Sequence, residues 1–173
     1  MGHRLIPFYR KLNKKHEGYT LLLDQKTEHV YRVEHKEINQ YRFWISWALT
    51  LALLRAVKGM EIYMNSLKGV LVVVLAMVLS SLLGVHQYKK MYRSYREVYF
   101  TKDMIDYYLE KGQPQFKKEV IATAIIFGVF VMLAVLFFIF HTVVWLFFSL
   151  LFFGLFIYCL WGIPLARYKL YQR

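Results

Sequence analysis

Six histidines (His3, His16, His29, His35, His86, His141), a single cysteine (Cys159) and three acids at Asp103, Asp106 and Glu110 carry most of this chain's chemical potential. Spacing assembles none of them into a site. No His or Cys pair stands at metal-ligand distance, and no HExxH, GxSxG or phosphate-cradling glycine loop occurs. The three acids fall on one helical face inside a basic segment, so they read as solvated counter-charges. His141 reads as a turn residue facing water, and His86 as the end of an apolar run. Cys159 has no intrachain disulfide partner. The sequence thus predicts no enzyme, no cofactor and no metal. What remains are surfaces: Tyr88, Tyr92, Tyr95 and Tyr99 recur at i, i+4, i+7 and i+11, one face of a helix, with Lys89, Lys90, Arg93 and Arg96 around the rest. Such a stripe could pack on a neighbouring element or dock a partner.

The elements that must position these residues are membrane spans. Val120 to Ala166 is 47 residues without Asp, Glu, Lys or Arg. One span needs about 20 apolar residues, so this run predicts two helices that turn straight back near His141 and Thr142. Gly69 to Tyr88 is another uncharged run, bounded by Lys68 and Lys89. Phe43 to Leu54 is shorter, 12 residues, but Arg55 and Lys58 can snorkel and Trp44 and Trp47 suit an interfacial belt. It reads as a fourth span, with an interfacial or re-entrant helix as the alternative. The fold class expected is all-α integral membrane, four helices as two hairpins, with a short cytoplasmic N-terminal β-hairpin.

Charge sets the orientation. Residues 1–42, 89–118 and 167–173 hold nine, eight and three Lys/Arg, against three in 55–68 and none at the His141 turn. By the positive-inside rule both termini are cytoplasmic in the cell membrane. The net charge of +12 therefore follows from topology, and no nucleic acid partner is expected. The expected organisation is a basic segment 1–42, a first transmembrane hairpin 43–88 (outer loop about 57–67), a cytoplasmic helical loop 89–118, a second hairpin 119–166 and a tail 167–173. No cleavable signal peptide is expected, because the first 40 residues are polar. Within them Tyr19–Leu23 and His29–Val33 flank Asp24-Gln25-Lys26-Thr27, the pattern of a β-hairpin. A lone hairpin is marginal, so it should pack on the membrane, the middle loop or a partner. Arg4, Arg10, Lys11, Lys14 and Lys15 read as a basic arm for anionic lipid headgroups. Thr101 should start a short helix through Glu110, stopped by Gly112 and Pro114.

No expected span carries Asp, Glu or Lys at its centre, which argues against proton-coupled transport. Small residues at Gly69, Ser80, Ser81 and Gly84, and again at Ala122, Ala124 and Gly128, offer close helix approach. They suit packing of the bundle itself or of a second copy. The outer stretch Arg55, Lys58, Glu61, Tyr63 and Asn65 is the surface that anything arriving from outside would meet first.

The layout resembles a known family. A basic N-terminus leads into Tyr19-Thr20-Leu21-Leu22-Leu23-Asp24 and Val30-Tyr31-Arg32-Val33. Then come an aromatic-started span (Phe43-Trp44), a Lys-bounded outer loop, a span ending in Lys, Tyr and Arg, and a final apolar block. This is similar to the tandem five-transmembrane family of Gram-positive bacteria, although four spans are read here. The resemblance implies a membrane immunity protein that neutralises a membrane-targeting toxin exported by type VII secretion, and it brings no catalytic residues. A second expectation is an accessory subunit of a transporter or secretion complex, docked through Tyr88, Tyr92, Tyr95 and Tyr99. A third is a small oligomeric transporter or channel.

Overall fold

The computed structural model describes residues 5–11, 18–24, 26–35, 40–57, 59–60, 67–92 and 94–171. They are mostly helical and fall into two units: one from 1–36, 87–122 and 159–173, the other from 37–86 and 123–158.

The first unit is built on a four-stranded antiparallel sheet. Strands β1 (Leu5–Lys11), β2 (Tyr19–Asp24), β3 (Val30–Glu34) and β4 (Tyr95–Val98) lie in that order. The expected hairpin is its centre, with Leu23 opposite Val30 and Thr20 opposite Val33. The turn closes because the Asp24 carboxylate accepts the Lys26 N–H (3.0 Å) and Glu28 takes a left-handed backbone (φ 56°). β2 is buried on both faces, and Phe8, Tyr9, Leu21, Leu23 and Val30 form its core. Each such apolar side chain contributes about 1.5–3 kcal/mol on burial. The long helix α3 (Lys102–Phe140) supplies the cover through Ile105, Tyr108 and Leu109, joined by Phe100 and by Leu170 of the short helix α5 (Leu165–Leu170). Of the supports expected for the hairpin, the structure therefore uses the middle loop.

Three expectations change here. The basic arm at Arg10 and Lys11 is strand β1, because Ile6, Phe8 and Tyr9 bury almost completely when paired with β2. The helix carrying Tyr88, α2 (Leu67–Met91), ends before Tyr95, which lies instead on β4 opposite Val33. The open edge of β3 offers a row of backbone partners, and pairing with it outweighs the helical spacing of the tyrosines. Finally, α3 does not stop at Gly112 and Pro114. Pro114 forfeits one helical hydrogen bond, while Gly112 lets α3 sit against β1. A Cβ there would lie 2.3 Å from the Phe8 carbonyl oxygen.

The second unit is helical. α2, α3 and α4 (Val143–Trp161) are long and apolar enough to cross a membrane, which marks this chain as a membrane protein. α1 (Gln40–Ala56) has 17 residues, about 25 Å of helix against a hydrocarbon layer of about 30 Å. Phe127 and Phe130 of α3 meet Phe156 and Phe153 of α4 at 5.0 Å each, the constant index sum of an antiparallel pair. Between these helices His141 adopts a left-handed backbone (φ 53°) and its N–H donates to the Phe137 carbonyl (2.7 Å), so the turn falls where the sequence places it. α2 and α4 touch through small residues. A Cβ on Gly84 would lie 2.6 Å from the Gly154 carbonyl oxygen, and the Ser80 hydroxyl donates to the Leu150 carbonyl (2.6 Å). In lipid nothing hydrophobic drives helices together, so close backbone approach and such hydroxyl bonds must do so. The expected patch at Gly84 and Ser80 thus packs this bundle, whereas a Cβ on Gly128 would meet open space.

Candidate functional site

In the sheet unit, backbone pairing fixes one face and side chains then close it. The Tyr9 ring packs between those of Tyr19 and Tyr108, tilted to each, with ring centroids 6.2 Å and 4.9 Å away. Burial pushes the Tyr19 hydroxyl up to about 12, helped by its hydrogen bond with Tyr108, while the Arg32 guanidinium 4.4 Å from its ring centroid pulls the other way. On the other side of β2, Thr20 Oγ1 and His35 Nε2 hydrogen-bond at 2.8 Å. Burial, seconded by the charge of Arg10, holds the His35 ring below the ordinary histidine range.

The chain's last described turn locks onto this unit. Arg167 is 4% exposed, pairs with Glu119 at 2.5 Å, donates to the Gly162 carbonyl (3.0 Å) and lies 5.0 Å from the Phe116 ring centroid. Its Nε has no hydrogen-bond partner among the described residues. Four residues on, the Tyr171 hydroxyl donates to the Phe8 carbonyl, and the Arg10 N–H donates to the Gln115 side-chain oxygen (3.3 Å). Both bonds occupy β1 backbone groups that would otherwise face outward at a free edge. Burial raises the Tyr171 hydroxyl above its ordinary value, with nearby Arg167 opposing.

Between the β2–β3 turn, α3 and α5 opens a cleft of about 550 Å³. Leu23, Ile105, Leu109 and Leu170 give it an apolar floor. Glu28, Asp106 and Glu110 bring carboxylates to it, and Lys102 stands at one end with Gln113 and Tyr171 at the other. None of those three carboxylates makes an ion pair or a side-chain hydrogen bond among the described residues. The helical spacing of Asp106 and Glu110 was legible; their meeting with Glu28 and an apolar floor depends on the sheet.

The surfaces expected from sequence fare unevenly. Arg55 lies exposed in the last turn of α1, while Lys58, Glu61, Tyr63 and Asn65 fall outside the described residues. The four tyrosines do not share a face. Tyr88 and Tyr92 pack with tilted rings 4.7 Å apart around the end of α2, Tyr95 meets Tyr31 edge-on at 5.3 Å across the sheet, and Tyr99 is 94% exposed beyond β4. Of the expected lipid-binding arm, Arg10 and Lys11 belong to the sheet, with Lys11 Nζ 5.7 Å from the Tyr19 ring centroid; Arg4, Lys14 and Lys15 fall outside the described residues. No group of three His, Cys, Asp or Glu among the described residues could hold a metal ion. Compared with protein-family models, curated proteins and solved structures, the chain matches none.

Proposed function

We propose that this is a non-enzymatic, multi-pass membrane interaction protein whose most specific role is immunity: neutralising a secreted toxin that targets the membrane. In this reading α1 crosses as a fourth span, its length completed by the snorkelling Arg55, and both termini are cytoplasmic. The observation that carries the proposal is the make-up of the helical unit. Its apolar runs hold no charged centre and pack through Gly84, Gly154 and Ser80, while broad apolar faces stay open to lipid or to another membrane-embedded chain. Substrate pathways call for intramembrane charge; a helix surface that meets another helix does not. The layout shared with the tandem five-transmembrane family gives that surface a toxin as its partner.

The test is protection. Cells making each exported protein encoded beside this chain are followed with a potential-sensitive dye, with and without the chain. Preserved membrane potential supports immunity, and replacing Glu61, Tyr63 and Asn65 together by alanine should abolish it. Depolarisation that the chain never relieves sinks the proposal.

The sheet unit favours a second reading, an accessory subunit of a membrane complex, because a folded module with an open cleft suits docking. Tyr99→Ser then disrupts co-purification of the complex and leaves any protection untouched.

A further inference from the structure

We propose that the cleft of the sheet unit is a docking groove for a basic, partly apolar peptide segment of a partner protein. Charge complementarity on a shaped surface supports this groove, independently of the immunity reading. The chain carries 23 Lys and Arg against 11 Asp and Glu, so carboxylates have cations to choose from. Glu119 and Glu97 take partners, Arg167 and His29 respectively, within the same unit. Glu28, Asp106 and Glu110 take none among the described residues, yet all three line one cleft. Three unpaired carboxylates gathered around one cleft present a local negative field in a strongly basic protein.

Shape narrows the occupant. From Lys102 to Gln113 the α3 wall runs about 16 Å at 1.5 Å per residue. An extended chain advances about 3.3 Å per residue, so the wall matches about five residues of peptide. Asp106 and Glu110 lie one helical turn apart, about 6 Å, close to the spacing of alternate side chains on one face of an extended strand. A peptide reading basic–apolar–basic can therefore set its cationic groups on the two α3 carboxylates, with the intervening side chain or the lysine stems against Leu109 and Leu23. Glu28 closes the opposite wall, and Lys102 sets polarity by repelling a basic group at its end.

The test uses the full chain in phosphatidylcholine nanodiscs, whose zwitterionic lipid does not itself attract basic peptides. The probe is fluorescein-labelled Lys-Leu-Lys-Leu-Lys, read by anisotropy, with Glu-Leu-Glu-Leu-Glu as control. The expected result is saturable binding of the basic probe alone. Asp106→Asn combined with Glu110→Gln should weaken it about tenfold, since two exposed charges are lost. Lys102→Glu should tighten it. All three side chains are exposed, so circular dichroism should report an unchanged fold. Equal affinity for the double variant, or no saturable binding, overturns the proposal. Displacement of the probe by cadaverine at equal molarity also overturns it, since the cleft would then read a free amine and not a peptide.

Discussion

The two units of this protein solve opposite solvent problems. In the sheet unit Ile6, Phe8, Leu21 and Val33 are at or below 1% exposure, and the buried cation Arg167 has its carboxylate, its carbonyl and its ring. In the helical unit Leu71, Leu75, Leu79 and Leu83 along α2 are each about half exposed or more, and α2 meets α4 through glycines and a serine hydroxyl. Water penalises exposed leucine and forgives surface charge; hydrocarbon does the reverse. One chain therefore carries two grammars of stability, and a substitution should be judged by the solvent of its unit.

Substitutions can break that comparison. The largest effect expected is from Arg167→Ala, which removes the ion pair to Glu119, the bond to the Gly162 carbonyl and the cation over Phe116, costing about 3 kcal/mol. Site-resolved hydrogen exchange in nanodiscs should show it as lost protection in β1–β3 with α2 and α4 unaltered. Next come the two contact glycines. Gly112→Ala forces α3 from β1 and Gly84→Ala forces α2 from α4, each at about 2 kcal/mol. Each should loosen its own unit only; loss of protection in both units from either change would show one cooperative body.

Smaller still, Ser80→Ala removes the bond to the Leu150 carbonyl and should cost about 0.6 kcal/mol by detergent titration of the helical unit, with the sheet unit indifferent. An effect of several kcal/mol there would mean that hydroxyl bonds, not backbone approach, hold the bundle.

The last contrast is pH. His35 is held below its ordinary value, so the unfolded chain takes up this proton first; the sheet unit should lose stability as pH falls through and below about 6.5. Tyr19, raised to about 12, acts at the other limb: the unfolded hydroxyl ionises first, and stability falls as pH climbs from about 10. Exchange rates in β2 across pH check both limbs. His35→Gln should flatten the acid limb alone; an unchanged acid limb would assign it to other groups.

Legibility followed range. The apolar runs behind α2, α4 and the second half of α3 could be seen because a helix satisfies its own backbone and lipid demands only apolar side chains. The central hairpin was legible for the same local reason: two apolar runs and a turn held by Asp24. The tyrosine spacing misled, since period alone cannot register that β3 has a free edge within reach of Tyr95. Gly112 misled similarly, a local stop signal whose actual use is contact with a strand about a hundred residues away in sequence.

By itself the sequence determined the membrane character, the apolar helices, the turn at His141 and the hairpin, all properties set by neighbours a few residues apart. Tertiary structure alone decided that Leu5–Lys11 and Tyr95–Val98 become outer strands, that α3 runs unbroken through Pro114, and that Arg167 is buried. It also decided that Glu28, Asp106 and Glu110 share a cleft. Each depends on a partner far away along the chain, and a backbone edge or a buried charge gains its meaning only when that partner arrives.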